Sequence, residues 1–161
     1  MTRNLCNLLC MFIFVSTVYG QVEETQKKII EELSNEIFAD PGTEYLDSPP
    51  NAILLYKKLK MNVNHQDIIY MLDYNNPIVN MYGFVLALNT FDNYKTVLKA
   101  VKSYRKRNYM PILPVLEGDV VLEQKLPDYM LTYLSRKNDL PSSKKEKLKG
   151  KLQEWAEHYT Y

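Results

Sequence analysis

The chain has 161 residues, with 20 Lys and Arg set against 19 Asp and Glu, for a formal net charge of +1. So even a balance gives no overall electrostatic case for binding nucleic acid or an anionic membrane. The length suits one domain, able to bury about two-thirds of the surface its unfolded form exposes.

Met1 to Asn4 contains one basic residue, Arg3, and Leu5 to Val18 is almost wholly apolar, followed by the small residue Gly20. That order is the pattern of a secretory leader. Residues 1–20 are therefore expected to be a cleaved signal peptide, with Gln21 the mature N-terminus and 21–161 a single helical domain, secreted or periplasmic. The apolar run is shorter than the roughly 20 residues of a spanning helix, which argues against an uncleaved anchor. Acylation at Cys6 or Cys10 would leave "MFIFVSTVYG" without a role. Cleavage removes both cysteines and Arg3, leaving a charge-balanced chain with no disulfide and no thiolate.

From Gln21 to Phe38, Val22, Ile29, Ile30, Leu33, Ile37 and Phe38 recur mainly at three- and four-residue spacings, which predicts an amphipathic helix. "ADPGTEYLDSPP" ends it, since Pro41, Gly42, Pro49 and Pro50 make continued helix improbable. Asn51 is a candidate cap for a short helix carrying Ile53, Leu54, Leu55 and Leu59. Asn64 is a candidate cap for a second, about Gln66 to Tyr74. Asn76-Pro77 then marks another helix start, because proline lacks an amide hydrogen that the first turn could not pair.

The helix after Pro77 is apolar round most of its circumference, leaving only a narrow strip near Asn80, Gly83 and Ala87. Its eleven or so apolar residues are too few to cross a bilayer. Neighbouring helices must enclose it, and Gly83 is expected to permit a close backbone approach. Asp92 or Asn93 can start the next helix, with Tyr94, Val97, Leu98, Val101 and Tyr104 on one face and Lys95, Lys99, Lys102 and Lys106 on another. Three prolines and Gly118-Asp119 predict an irregular loop around 109–126, with at most short extended pieces. A helix restarts at Pro127. A last one, with Ser142 or Ser143 as cap and Leu148, Leu152, Trp155, Ala156 and Tyr159 at helical spacing, should dock through Trp155.

Within about 66–107, the stretch Asp67 to Tyr104 resembles a HEAT-like helical repeat. Leu72 and Asp73 match the end of the first helix, Asn76-Pro77 the turn, and Val79, Ala87 and Leu88 the second helix; Asn80 stands where the family often has arginine. The chain as a whole is similar to small secreted Bacteroidetes proteins carrying such segments. The resemblance implies an all-α fold, a compact array of antiparallel helix pairs equivalent to a fragment of an α-solenoid.

Chemistry needs convergent groups, and few are in view. Without the leader the histidines are His65 and His158, far apart in sequence and without ligands at metal-site spacings. Ser34, Ser48, Ser103, Ser135, Ser142 and Ser143 lack a nucleophile-elbow context, and five glycines are too scattered for a phosphate loop. Glu23 with Glu24, and Glu31 with Glu32, read as a solvated helix face. No catalytic residue, cofactor or metal is expected.

Lys95, Lys99, Lys102 and Lys106, continuing into "YRKRNY" at 104–109, form one basic feature; Lys144 and Lys145 in "KKEKLKGK" at 144–151 form another. A solvated face explains such runs without a ligand. The expected function is an exported, non-catalytic module that binds another protein, and not nucleic acid. A second reading is an envelope protein using these lysines on an anionic surface. A third is a small hydrolase with an unrecognised carboxylate site.

Overall fold

The computed structural model describes residues 22–39, 49–90, 94–117, 120–137 and 139–158. The expected leader with Cys6, Cys10 and Gln21, most of the proline-rich loop after Ala39, the caps Asp92 and Asn93, Gly118-Asp119 and Tyr159 lie outside the described residues. The fold is mostly helical with one small sheet: α1 (Glu24–Ser34), α2 (Asn51–Asn62), α3 (His65–Asp73), α4 (Pro77–Thr90), α5 (Tyr94–Lys106), β1 (Ile112–Glu117), β2 (Val120–Lys125), α6 (Leu126–Arg136) and α7 (Ser142–Glu157).

Helix α4 is the centre. It touches α1, α2, α3, α5, α6 and β1, and every residue from Ile78 to Leu88 is buried. Its start is fixed locally, since Asn76 Oδ1 accepts from the amides of Ile78 and Val79 at 2.9 and 3.1 Å. Asn64 does the same for α3, accepting from Gln66 and Asp67 while the Asp67 carboxylate accepts from the Asn64 amide at 2.8 Å. The two helices then meet closely. A methyl group on Gly83 would lie 2.9 Å from Met71 Cβ and 3.3 Å from the Leu72 amide nitrogen, so only glycine lets the backbones approach this far.

Asn80, on the expected polar strip, is fully buried. Its Nδ2 donates to the carbonyls of Met71 and Tyr74 at 2.9 and 2.7 Å, and the Tyr104 hydroxyl donates to the Leu72 carbonyl. Carbonyls at the end of a helix have no partner within it. Here α4 and α5 supply the missing donors for α3.

Four expectations need correction. Helix α1 stops at Ser34 rather than Phe38, because Ser34 Oγ and Asn35 Nδ2 both donate to the Glu31 carbonyl; Ile37 is then 79% exposed. Asn51 is the first helical residue rather than the cap of α2, and its Nδ2 reaches back to Glu36 Oε1 at 2.5 Å. Neither Ser142 nor Ser143 caps α7, which follows Pro141 without a side-chain cap bond. The irregular loop around 109–126 holds an antiparallel hairpin, with Ile112 opposite Lys125 and Val115 opposite Leu122.

The hairpin forms because β1 is anchored on both sides. Leu113 and Val115 are buried, and Ala39 adds a parallel bridge in which its amide donates to the Pro114 carbonyl at 2.8 Å. Pro114 contributes no amide, yet its carbonyl serves the sheet. In the outer strand Val120, Val121 and Leu122 are all exposed. At the other end, α7 docks through Trp155 as expected: the ring is fully buried and Nε1 donates to the Tyr109 carbonyl at 2.9 Å.

Candidate functional site

The apolar stripe of α5, from Tyr94 to Tyr104, is buried, which turns Lys95, Lys99, Lys102 and Lys106 outward to solvent. Among the described residues none of these four lysines forms a side-chain hydrogen bond or an ion pair. The stripe divides between two depressions, one on each side of the helix.

The first is a groove of about 450 Å³ between α3 and α5. Ile69, Leu72, Ala100 and Tyr104 supply its apolar surface, and Ile69 remains 38% exposed there. Lys95 and Lys99 stand on its α5 side, and Arg107 closes one end. Arg107 is held by Asp73 at 3.2 Å and lies over the Tyr104 ring at 5.6 Å. Burial pushes the Tyr104 hydroxyl well above its ordinary range, so it stays a neutral donor beneath the groove. Tyr109 is raised for the same reason, with Arg107 opposing.

The second is a shallower depression of about 250 Å³ lined by Lys102, Arg105, Lys106, Lys151 and His158. Glu154 stands at its edge and accepts from Lys151 Nζ at 2.5 and 2.6 Å and from Arg105 Nη1. These bonds, that of Lys151 first, hold the Glu154 carboxyl below its usual range.

Lys144 and Lys145 line neither depression. Lys145 Nζ donates to the carbonyls of Ser135 and Lys137 at 3.0 and 2.7 Å, closing the end of α6, where a cation also complements the helix dipole. Lys144 is half-buried. His65 and His158 fall in different depressions. Asp67 is a buried carboxyl whose Oδ1 has no partner among the described residues; desolvation raises it, and the bond from Asn64 opposes. It closes the turn that begins α3.

Among the described residues no three His, Cys, Asp or Glu side chains converge as a ligand set for a metal ion. No helix among them is long and apolar enough to cross a membrane. No family model, no curated protein and no solved structure matches the chain.

The α5 lysines were visible in the sequence as a periodic stripe. Its division was not, since it depends on α3 lying along one side of α5 and α7 along the other. Arg105, Arg107 and Lys151 sat in charged runs with nothing to distinguish them from their neighbours. Ile69 carried a weak signal, as one isoleucine more than the stripe of so short a helix needs.

Proposed function

We propose that the chain is an exported, non-catalytic interaction module that receives a partner protein in the groove between α3 and α5. One observation carries this reading: a groove with an apolar floor, its exposed isoleucine at position 69, stands beside two lysines that no acidic residue among those described engages. Such a surface suits an amphipathic segment whose apolar face seats on the floor and whose acidic flank meets Lys95 and Lys99. The pairing of α3 with α4 across Asn76-Pro77, with α5 beside them, supports treating about 66–107 as a HEAT-like unit.

The test is recovery of binding partners from the envelope fraction by the processed protein and by an Ile69→Glu variant. A charge on the groove floor should abolish capture of a specific partner while the melting temperature holds. Capture unchanged by Ile69→Glu and lost from the native protein on adding moderate salt would transfer the function to the anionic-surface reading. Export has its own check, the mass of the recovered chain, which should begin near Gln21.

A further inference from the structure

The depression between α5 and α7 shares with the groove only the helix that separates them. Four basic side chains converge on it: Lys102, Arg105 and Lys106 from α5, and Lys151 from α7. Glu154 compensates Arg105 and Lys151 together, while Lys102 and Lys106 have no counter-ion among the described residues. Gathering uncompensated like charges around one concavity costs free energy in the empty state, and a multiply charged anion relieves that repulsion.

The geometry favours a compact oxyanion over a single carboxylate. Lys102 and Lys106 are one turn apart on the same helix face, where neighbouring side chains stand about 5–6 Å apart. Their flexible stems can close on one group from two sides. Arg105 has five N–H donors in a fixed fork, the arrangement suited to phosphate, and Glu154 is bonded through Nη1. Glu154 also steadies Arg105 and Lys151 across the interhelix gap, acting as a resident counter-ion at the edge of the site.

We infer that the α5–α7 depression is a binding site for a phosphoryl or sulfuryl group carrying two or more negative charges. Lys102 and Lys106 provide the main attraction, and Glu154 sets its upper limit. This site does not depend on the partner-binding reading of the α3–α5 groove, which lies on the other side of α5.

The experiment is calorimetric titration of the full protein with sodium tripolyphosphate at low salt. Vesicles of phosphatidylglycerol, with phosphatidylcholine vesicles as the neutral control, identify whether a headgroup can supply the same chemistry. Tripolyphosphate should bind with one-to-one stoichiometry, and Lys102→Ala with Lys106→Ala should weaken it about ten-fold or more. Glu154→Gln should strengthen it about five-fold, since a unit charge about 4 Å away is worth about that factor in water. Lys57→Ala with Lys58→Ala, exposed on α2, should leave the titration unchanged. Binding only to tripolyphosphate supports a soluble ligand, and binding to the anionic vesicles that fails in the α5 variant supports a headgroup. Absence of binding, an equal loss in the α2 variant, or no gain in Glu154→Gln would overturn the site.

Discussion

Helices α4 and α5 are neighbours of similar length and opposite construction. Every residue of α4 from Ile78 to Leu88 is buried, while α5 buries one stripe and turns its lysines outward. The hydrophobic effect therefore fixes this stretch of α4 on all sides and leaves it no surface on which to meet a ligand. Helix α5 needs only half its circumference for packing. The other half can change without undoing the fold, and both depressions open there.

The sharpest way to break this contrast is Phe84→Ala. Phe84 is fully buried and meets Tyr133 edge-on at 6.0 Å. Its removal should cost about 3–5 kcal/mol through lost burial and a residual cavity, read as a shift in the denaturant midpoint. A near-neutral result would mean that α4 has an open face.

Gly83→Ala tests the close approach of α4 to α3. The added methyl would strike Met71 Cβ, which cannot swing away, and overpacking of this kind costs about 1–3 kcal/mol. Alanine recovers roughly 1 kcal/mol in helix propensity, so the net loss should be smaller than at Phe84 but still a loss. If thermal unfolding shows a gain, the two backbones stand farther apart than the contact requires.

Tyr104→Phe sharpens the comparison where α5 turns inward. It keeps the buried ring and removes the hydrogen bond to the Leu72 carbonyl, for about 0.5–1.5 kcal/mol at neutral pH. The two proteins should also diverge in alkali. Burial raises the Tyr104 pKa above its ordinary 10.0, so above that pH the folded state holds a proton that the unfolded chain releases. Stability must then fall as pH rises. Tyr133, pushed up to about 12 mainly by burial, adds a similar loss between 10.0 and that value. Unfolding measured across this range should show a shallower decline in Tyr104→Phe, and parallel curves would count against the buried hydroxyl.

The smallest effect is expected on the outer face of α5. Lys99→Ala and Lys102→Ala should each change stability by no more than about 0.5 kcal/mol, as surface substitutions usually do. A larger loss would show that these lysines hold structure rather than remaining available.

The difference between the helices also explains what the sequence disclosed. Signals carried by neighbours in the chain were legible: the Asn64 cap, the Asn76-Pro77 start, the all-round apolarity of α4 and the stripe of α5. Features that depend on distant segments were hidden. β1 is steadied by Ala39, more than seventy positions earlier, while Pro114 interrupts the alternation that would have announced a strand. Lys145 looked like its neighbour Lys144 until α6 placed two open carbonyls within its reach. The candidate depressions belong to this second group, since each needs side chains from helices that the local pattern does not bring together.

Trp155 gives the arrangement a natural reporter. It is the chain's one tryptophan, with its ring centroid 5.2 Å from that of Tyr104. Its emission therefore registers the seating of the last helix against α5, without an attached dye. Because α7 also brings Lys151 and Glu154 to the basic depression, a ligand drawing the two helices together would change the colour and intensity of that light. Undocking of α7 would expose the ring to water and be seen as a red shift.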